Sequence, residues 1–349
     1  MFRDLADLQA DALTEVLVAA GEASGHVSDA TVEAIDDAAG FLGTIARVRL
    51  KWSGGEGPAS VVAKLPTTIR ANQDIVDQFG YDQREAGVYR DLRPWTSAPA
   101  PRALAQAWDD TTGRGWLLLE DLSHLTGGDG IEGATDEQAF ATVTALAQWH
   151  AAYWNDDRLG DFHWLPNTRH PAVAGYGMIL DMTWDMCVDR LGGVGPEIAK
   201  AVALARPWFD QAIEEFASGD RTLVHGDARL DNLRFGSAGA VILDFQLATH
   251  SRGVYDVAFF AAGSLTTENR RRLEPALIER YRHELAVSGV DVELDELWRD
   301  YRLGHMLNLP NPVSAIAVVT PTDERGAEFL RRNAERGLNA VADHVSLLG

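Results

Sequence analysis

Residues 222–246, TLVHGDARLDNLRFGSAGAVILDFQ, constrain this chain more than any other stretch. The apolar start at Leu223 and Val224 predicts a short β-strand, and the apolar run at 240–243 predicts a second one. Polar residues follow each strand directly. Because a rigid scaffold presents side chains on loops to ligands, we expect a functional site at the ends of these two strands.

Three side chains in these predicted loops carry oxygen atoms that can bind a proton or a metal ion. Asp227 and Asn232 are five residues apart on the first loop, and Asp244 follows the second strand. Phosphoryl transfer uses such a set: one carboxylate orients and deprotonates the attacking hydroxyl, while an amide oxygen and a second carboxylate hold Mg²⁺ on the nucleotide phosphates. Two alternatives remain open at this point. One is a metal-dependent hydrolase that uses His225 and Asp227, and the other is a structural loop, since Asp and Asn are frequent in turns.

The sequence HGD at 225–227, followed by Asn232 and by DFQ at 244–246, resembles the small-molecule branch of the protein-kinase-like fold. That branch includes the aminoglycoside phosphotransferases, the choline kinases and the ecdysteroid-kinase-like (CHK-like) family, and Gln246 in place of glycine is typical of the last. The resemblance implies an α+β fold with two lobes. The N-lobe would hold an antiparallel β-sheet and a helix, and the C-lobe would be mainly helical.

The composition indicates a globular protein whose charge does not suit nucleic acid. The 349 residues include 31 Lys and Arg against 52 Asp and Glu, which gives a formal net charge of −21. This excess argues against nucleic acid or an anionic membrane as a partner, because both attract basic patches. The single cysteine, Cys187, permits no intramolecular disulfide, and no apolar run approaches the ~18 residues that cross a membrane. We therefore expect a cytoplasmic protein without a nucleic-acid or membrane partner, and the sequence leaves its oligomeric state open.

A lysine lies among apolar residues in the first third of the chain. The alternation at 44–51 predicts one strand, and residues 59–65 predict a returning strand that contains Lys64. A buried ammonium group needs a partner, whereas a lysine on an edge strand would reach water. The resemblance implies that Lys64 contacts the nucleotide phosphates and that Glu85 holds it in position. Glu85 lies in a helix predicted over residues 74–92, and with Asp227 these two form the predicted catalytic set.

Other nucleotide contacts follow from the resemblance alone. Gly40 and Gly43 stand where the loop that covers the nucleotide falls, although a plain strand-entry turn would explain them equally well. A hairpin predicted over 103–119 runs into Glu120-Asp121-Leu122, which resembles the hinge between the lobes. The backbone groups of Glu120 and Leu122 would then meet the adenine edge, and the alternative is a buried strand that ends in an acidic turn. Arg229 would neutralise charge near the phosphates.

The hinge divides the chain into a predicted N-lobe at 1–121 and a predicted C-lobe at 122–349. Helical spacing predicts a helix over 2–19, and a capping box at Thr135 and Gln138 predicts the start of another. His150 is interpreted as a core histidine, residues 155–196 show poor periodicity, and Asp256 is implied to brace the catalytic loop. Further helices are predicted at 197–216, 254–262, 268–288, 292–309 and 322–347.

These observations predict an ATP- and Mg²⁺-dependent transfer of the γ-phosphate to a hydroxyl of a small molecule. Asp227 would be the base, and Asn232 and Asp244 would be the Mg²⁺ ligands. Only eleven residues separate Asp244 from Asp256, which argues against a peptide-binding platform and hence against a protein substrate. The resemblance suggests a steroid-like alcohol or an aminoglycoside as the acceptor. A nucleotide-binding pseudokinase that serves a regulatory function is the remaining alternative.

Overall fold

The computed structural model describes residues 2–35, 43–321 and 323–348, and its contacts divide the chain into two compact units. The first unit extends to Leu125 and also includes Phe245–Leu247. The second unit comprises Thr126–Asp244 and the chain from Ala248 onward. The predicted lobes at 1–121 and 122–349 rest on the resemblance of the hinge and remain a prediction.

The first unit is built on a five-stranded antiparallel sheet. Its elements are α1 (Ala10–Ala19), β1 (His26–Ala34), β2 (Gly43–Ser53), β3 (Ser60–Pro66), α2 (Arg70–Phe79), α3 (Tyr81–Gly87), β4 (Ala103–Asp109) and β5 (Arg114–Glu120). The strands lie in the order β1-β2-β3-β5-β4. Short 3₁₀ turns lie at Leu5–Asp7 and Arg93–Trp95, and a π-helical turn lies at Val88–Leu92.

The central strand β3 places its residues on alternate faces of the sheet. Val61, Ala63 and Leu65 are buried and join the core that Leu13 and Leu17 of α1 complete. Since side chains in a strand alternate with a period of two, Lys64 projects from the opposite face. The strand pattern predicted from the sequence thus determines which face of the sheet carries the lysine.

Strand β1 was not predicted, and its burial explains why. Within the nine residues of β1 only Val27 is buried, so the segment lacks the apolar alternation that identifies a strand. It pairs with β2 at the edge of the sheet. The predicted N-terminal helix is also shorter than expected, because the α-helix itself begins at Ala10.

The single helix predicted over 74–92 is wrong, because Gly80 interrupts it. Gly80 ends α2 and precedes α3 with φ +68° and ψ 30°, a left-handed conformation that no helix contains. The apolar spacing continues across the break, which is why periodicity alone suggested one helix. The interruption separates the turn that carries Glu85 from α2.

Replacing Gly80 with alanine is expected to lower the free energy of unfolding by about 1 kcal/mol. A Cβ at this position would meet no atom within 4 Å, so the expected cost is that of the left-handed backbone alone. Urea denaturation measures the change. Gly160→Ala is the matched control, because Gly160 also has open space around its Cβ but no positive φ. An equal loss in both variants would contradict the backbone explanation.

The second unit is mainly helical. Its helices are α4 (Asp136–Ala152), α5 (Pro171–Ala174), α6 (Tyr176–Arg190), α7 (Pro196–Phe216), α8 (Val254–Ser264), α9 (Thr267–Val287), α10 (Leu294–Asn308), α11 (Pro310–Val318) and α12 (Glu324–His344). Its strands are β6 (Thr126–Gly127), β7 (Thr222–Val224), β8 (Leu233–Gly236), β9 (Gly239–Ile242) and β10 (Thr249–Ser251). Short 3₁₀ helices lie at Asp157–Asp161, Leu230–Asn232 and Val345–Leu347.

Two small sheets of the second unit position the motifs of residues 222–246. Strand β7 pairs with β10, and the loop that contains Asp227 leaves the end of β7. Strands β8 and β9 form a hairpin that begins just after Asn232 and returns to Asp244. The apolar helix α8 is buried along most of its length, with Asp256 in its first turn.

Helix α6 lies where the sequence showed poor periodicity. Its buried residues Gly177, Leu180, Thr183 and Cys187 include only one large apolar side chain, so the apolar signal of a buried face is weak. Helix α11 was likewise not predicted, since prolines occupy its first and third positions. Among the described residues, no helix is both long enough and apolar enough to cross a membrane.

Candidate active site

The loop that follows β7 is fixed by Asp256 of α8. Its Oδ2 accepts a hydrogen bond from the backbone N–H of His225 at 2.7 Å, and its Oδ1 accepts one from Gly226 at 2.9 Å. His150 of α4 contacts Oδ2 of Asp256 through Nε2 at 3.0 Å, and all of these groups are buried. The bracing role predicted for Asp256 is therefore confirmed, and His150 is the core histidine expected from the sequence.

His225 connects the two halves of the motif. Its Nε2 donates to the carbonyl oxygen of Leu243 at 2.7 Å, and its Nδ1 accepts from the N–H of Asp227 at 3.2 Å. One imidazole thus joins the loop that carries Asp227 to the residue that precedes Asp244. Because both ring nitrogens take part in hydrogen bonds, His225 holds the loop's geometry.

Asp227 lies among polar groups that orient its carboxylate. Asn232 Nδ2 donates to its Oδ2 at 2.9 Å and to its backbone oxygen at 3.0 Å, and Arg229 Nε lies 3.4 Å from Oδ2. Burial raises the pKa of the Asp227 carboxyl, although the charge of Arg229 acts in the opposite direction. A carboxylate with a raised pKa is a stronger base than an exposed one.

Asp244 is held in an unusual backbone conformation close to these groups. Its φ of +67° is in the left-handed region, which a non-glycine residue rarely adopts outside sites where the surrounding structure imposes it. Its carboxylate raises the pKa of Asp227. Burial alone would lower the pKa of Arg229, but the carboxylates of Asp227, Asp231 and Asp244 raise it. The second unit therefore brings all four of its predicted site residues, Asp227, Arg229, Asn232 and Asp244, into one cluster.

The donor atoms of this cluster suit a hard divalent cation. Asn232 uses Nδ2 for its hydrogen bonds to Asp227, so its Oδ1 is the atom able to coordinate a cation. Asp244 supplies carboxylate oxygens, and Mg²⁺ is bound in proteins by one or two such oxygen ligands with water and phosphate. The residues present therefore fit a magnesium ion.

In the first unit, Lys64 of β3 and Glu85 of α3 form an ion pair. Lys64 Nζ lies 2.6 Å from Glu85 Oε2, and the side chains are only 12% and 4% exposed. A lysine this far from water requires a compensating carboxylate. The strand alternation sets the face of the sheet from which Lys64 reaches Glu85, and the role of the pair toward a nucleotide stays a prediction.

Removing the carboxylate of this pair is expected to destabilise the chain. Glu85→Leu removes the carboxylate that pairs with the Lys64 ammonium group, and we expect a loss of about 2 kcal/mol, below the 3–5 kcal/mol of fully buried pairs. The double variant Lys64→Met/Glu85→Leu removes both charges and should lose less. Urea denaturation of the two variants tests this order. A double variant as unstable as the single one would show that lost packing, rather than the uncompensated charge, dominates.

The predicted nucleotide contacts outside the ion pair are only partly described. Gly43 is the first residue of β2 and pairs with Pro66, while Gly40 lies outside the described residues. Glu120 ends β5, and it exchanges two hydrogen bonds with Arg102: its N–H donates to the Arg102 carbonyl at 3.0 Å, and its Oε1 accepts from the Arg102 N–H at 2.8 Å. Leu122 lies beyond the strand, and its carbonyl oxygen accepts from Leu125 at 2.9 Å.

Sequence reasoning missed the role of Asp121, whose side chain anchors the segment that follows β5. Its Oδ2 accepts from Arg47 Nε at 2.9 Å and from Ser60 Oγ at 2.7 Å, and its Oδ1 accepts from the N–H of Ser123 at 3.0 Å. Burial would raise the pKa of Asp121, but these hydrogen bonds and the charge of Arg47 lower it. The only sequence signal was an acidic residue after a strand, because Arg47 and Ser60 are remote in sequence.

Sequence reasoning also missed Tyr255, which precedes the bracing Asp256 at the start of α8. Its hydroxyl accepts from Asn311 Nδ2 at 3.4 Å. Burial raises the pKa of Tyr255, and the negative charges of Asp256 and Asp227 raise it further. Tyr255 and Asn311 therefore form a phenol–amide pair, and the phenol is under the electrostatic influence of Asp227.

A second group of potential metal ligands in the described chain does not fit a metal. The ligand atoms of Glu274, His305 and His344 lie within 4.8 Å of one another and are buried. However, Glu274 Oε1 already accepts from Arg270 at 2.6 Å, from Tyr301 at 2.9 Å and from His344 at 2.9 Å. The two histidine rings are stacked with an interplanar angle of 9°, so no single point lies in both ring planes. The group is a buried ion-pair network in which Arg270 supplies the positive charge.

Comparison with known proteins identifies a family for this chain. A model of the phosphotransferase enzyme family matches residues 81–291, which is more than half of the chain. That match includes Glu85, the braced loop and Asp244. No curated protein sequence matches the chain.

Three solved structures are similar to this chain over nearly its whole length. The GDP complex of aminoglycoside 2′-phosphotransferase-IIIa is 15% identical, with 91% of this chain and 93% of that chain covered and a TM-score of 0.55. Choline kinase from Cryptosporidium parvum Iowa II is 11% identical, with 91% and 90% covered and a TM-score of 0.58. The microcompartment-associated aminopropanol kinase is 17% identical, with 94% and 95% covered and a TM-score of 0.53. These likenesses confirm the predicted fold class, an α+β protein-kinase-like fold with an antiparallel sheet and a mainly helical part.

Proposed function

The chain belongs to the phosphotransferase enzyme family, and from that premise we propose that it transfers the γ-phosphate of ATP to a hydroxyl group of a small molecule. The observation that carries the proposal is the braced cluster of Asp227, Asn232 and Asp244. Asp227 accepts two contacts that aim its carboxylate, and Asp256 holds the loop that bears it. A binding module that only recognised a nucleotide would not need a base held in this way.

Asp227 is proposed to orient and deprotonate the acceptor hydroxyl. The acceptor oxygen would attack the γ-phosphorus, the bond from that phosphorus to the bridging oxygen of the β-phosphate would break, and ADP would leave. The proton of the hydroxyl would pass to Asp227. The raised pKa of this carboxyl makes it a better proton acceptor than an ordinary aspartate, and Arg229 at 3.4 Å limits how far the pKa rises.

The oxygen donors Asn232 Oδ1 and Asp244 are proposed to hold Mg²⁺. When bound, this ion neutralises negative charge on the nucleotide phosphates and orients them for in-line transfer. The chain's own contribution is the fixed position of the ligands. The hydrogen bonds from Asn232 Nδ2 orient the amide, and the left-handed backbone at residue 244 sets the direction of the carboxylate.

Lys64 and Arg229 are the proposed cationic contacts of the phosphates. The Lys64–Glu85 pair keeps the ammonium group in one place and pre-organised, which lowers the entropic cost of binding. Gly43 and Gly40 remain proposed contacts of the loop that covers the nucleotide. In the segment after β5, Leu122 is the better candidate for a base contact, because Glu120 uses its N–H and its side chain on Arg102.

The acceptor is proposed to be an alcohol that also carries a positive charge. The similar structures are named for aminoglycosides, choline and aminopropanol, all of which contain nitrogen that is protonated or quaternary at neutral pH. The net charge of −21 favours such substrates over anionic ones. A steroid-like alcohol is the competing class, and the hydroxyls of either would approach Asp227 near Tyr255 and Asn311.

The hydrolase alternative is less well supported by the local geometry. A metal ligand must direct an imidazole lone pair at the ion, but His225 uses Nε2 on Leu243 and Nδ1 on the N–H of Asp227. A hydrolase mechanism based on His225 and Asp227 would also give the Lys64–Glu85 pair no role in catalysis.

Transfer of label from γ-labelled Mg²⁺·ATP into a pool of amino alcohols, aminoglycosides, sterols and sugars tests the proposal. A parallel reaction with Mg²⁺·GTP tests the choice of nucleotide, and Asp227→Asn is the inactive control. We expect a labelled product that requires Mg²⁺ and Asp227, and a rise in melting temperature with Mg²⁺·ATP. If no product and no thermal shift appeared with either nucleotide, the nucleotide-dependent activity would be refuted. A thermal shift without any product would favour the pseudokinase alternative.

A further inference from the structure

Helix α6 exposes a row of methionine side chains. Met178, Met182 and Met186 are 65%, 72% and 47% exposed. Residues four apart lie above one another on a helix, so the three thioethers form one continuous strip. The opposite face of α6, including Leu180 and Cys187, is buried in the core of the second unit. The strip is therefore a solvent-facing surface that the core does not require.

A row of aspartates runs beside the methionines. Asp181, Asp185 and Asp189 are exposed and are also four residues apart. Asp181 accepts from Arg206 of α7 at 2.9 Å and 3.1 Å, which ties α7 to this side of α6. Two residues before Arg206, Leu204 is 48% exposed. We call the six residues of the two rows on α6 the Met–Asp face.

This combination is unusual for a surface without a partner. An exposed apolar row bordered by charge marks a contact site more often than scattered apolar residues do. Methionine is unbranched and polarizable, and it adapts to irregular apolar partners. The periodicity of both rows matches a helix, so a helical partner lying along α6 would contact every turn.

We propose that the Met–Asp face binds a basic amphipathic helix of a partner protein. Leucine-like residues of that helix would cover the methionines, and its Lys or Arg residues would meet Asp185 and Asp189. Charge complementarity selects this occupant, because a second copy of the chain would bring two aspartate rows and two charges of −21 together. An anionic membrane would be repelled for the same reason. The proposal does not depend on the phosphotransfer activity.

Fluorescence anisotropy with a labelled synthetic Leu/Lys helix tests the proposal. A peptide of about 14 residues is long enough to cover α6 at 1.5 Å per residue. The test variant is Met178→Gln/Met182→Gln/Met186→Gln, and the matched control is Val287→Gln/Leu347→Gln, whose side chains are 69% and 55% exposed elsewhere in the second unit. All five positions are exposed, so equal melting temperatures are expected. We expect the methionine variant to bind the peptide about tenfold more weakly and the control to bind like the wild type.

The contribution of charge is tested with a second pair of variants, and the contribution of amphipathicity is tested with a second peptide. Asp185→Asn/Asp189→Asn should weaken binding and reduce its salt dependence, whereas Asp291→Asn/Glu293→Gln removes two exposed charges elsewhere and should not. A peptide of the same composition with leucines scattered around the helix should bind about tenfold more weakly to the wild type.

Three results would overturn the proposal. The first is equal peptide affinity in the methionine variant and the wild type, which would show that the peptide binds only by non-specific attraction between opposite charges. The second is a wild-type dimer in sedimentation experiments that the methionine substitutions dissociate, which would make a second copy the occupant. The third is binding of the wild type, but not of the methionine variant, to phosphatidylcholine vesicles.

Discussion

Asp227→Asn is expected to lower kcat for phosphotransfer by about 10²–10⁴-fold while leaving nucleotide binding nearly intact. The amide keeps the shape of the side chain and its contact with Asn232, but it cannot accept the acceptor's proton. Steady-state kinetics with the acceptor found in the labelling experiment give kcat, and calorimetry with Mg²⁺·ATP gives the affinity. Arg229, the proposed phosphate contact, is unchanged in this variant, so the KM for ATP should change little.

The matched control for this experiment is Asp231→Asn, which removes the same charge from the same loop. Asn232 Nδ2 and Arg229 Nε contact the carboxylate of Asp227, so for Asp231→Asn we expect less than about a tenfold effect, under 1.4 kcal/mol. Equal losses in the two variants would mean that the negative potential of the loop matters, rather than a base at position 227. That result would also remove the distinction between the proposed kinase and a charge-dependent binding module.

The same residue predicts a pH dependence and a stability effect. Burial raises the pKa of Asp227 above its ordinary 3.8, so activity should fall as the pH is lowered through that raised value, and the residual activity of Asp227→Asn should not show this fall. For a carboxyl with a raised pKa in the folded state, ionisation above that pKa destabilises the fold. Asp227→Asn should therefore melt no lower than the wild type at pH 7. A clearly lower melting temperature would show that its contacts outweigh the burial of its charge.

Asp256→Ala is expected to lower the free energy of unfolding by about 4 kcal/mol. The substitution leaves the backbone N–H groups of His225 and Gly226 without their acceptor and removes the partner of His150 Nε2, and each buried unsatisfied group costs about 1–3 kcal/mol. Urea denaturation followed by tryptophan fluorescence measures the loss. The loop that carries Asp227 would also lose its support, so phosphotransfer should fall even under conditions in which the variant is folded.

Asp256→Asn separates the effect on folding stability from the effect on phosphotransfer. The amide retains one acceptor oxygen for the backbone, so its stability should lie between those of the wild type and the alanine variant. If Asp256→Ala lost less than about 1 kcal/mol, a typical single net hydrogen bond, the three contacts would not be acting together as a brace. Stability equal to that of the wild type with lost activity would instead assign Asp256 a direct role in binding.

Several features of the fold follow from short-range patterns and were predictable. The hairpin of β4 and β5 follows from two apolar runs around a polar turn, and the start of α4 follows from the capping box at Thr135. The long helices α7, α9 and α12 carry clear apolar periodicity. Other elements have weak local signals. Strand β1 buries one side chain, α6 buries mostly small ones, and Gly80 breaks a helix whose apolar spacing continues.

Some residues of the candidate site were likewise predictable from the sequence, and others were not. Asp227, Asn232 and Asp244 were identifiable because residue type and spacing along one stretch reflect the chemistry of phosphoryl transfer. Lys64 and Glu85 were identifiable by their order in the chain and their resemblance to the family. Asp121, Tyr255 and the Met–Asp face were not found, since each depends on partners or exposure that are set by distant parts of the chain.

The sequence by itself determined the family, the fold class and the identity of the chemical groups, because these depend on local residue patterns and on their order. The tertiary structure decided which groups are buried, which atoms of each side chain are engaged, and how their charges act on one another. The raised pKa of Asp227 is an example, since burial and the charge of Asp244 raise it while the charge of Arg229 lowers it. The bracing of the loop by Asp256 and the exposure of Met178, Met182 and Met186 likewise depend on how helices remote in sequence pack.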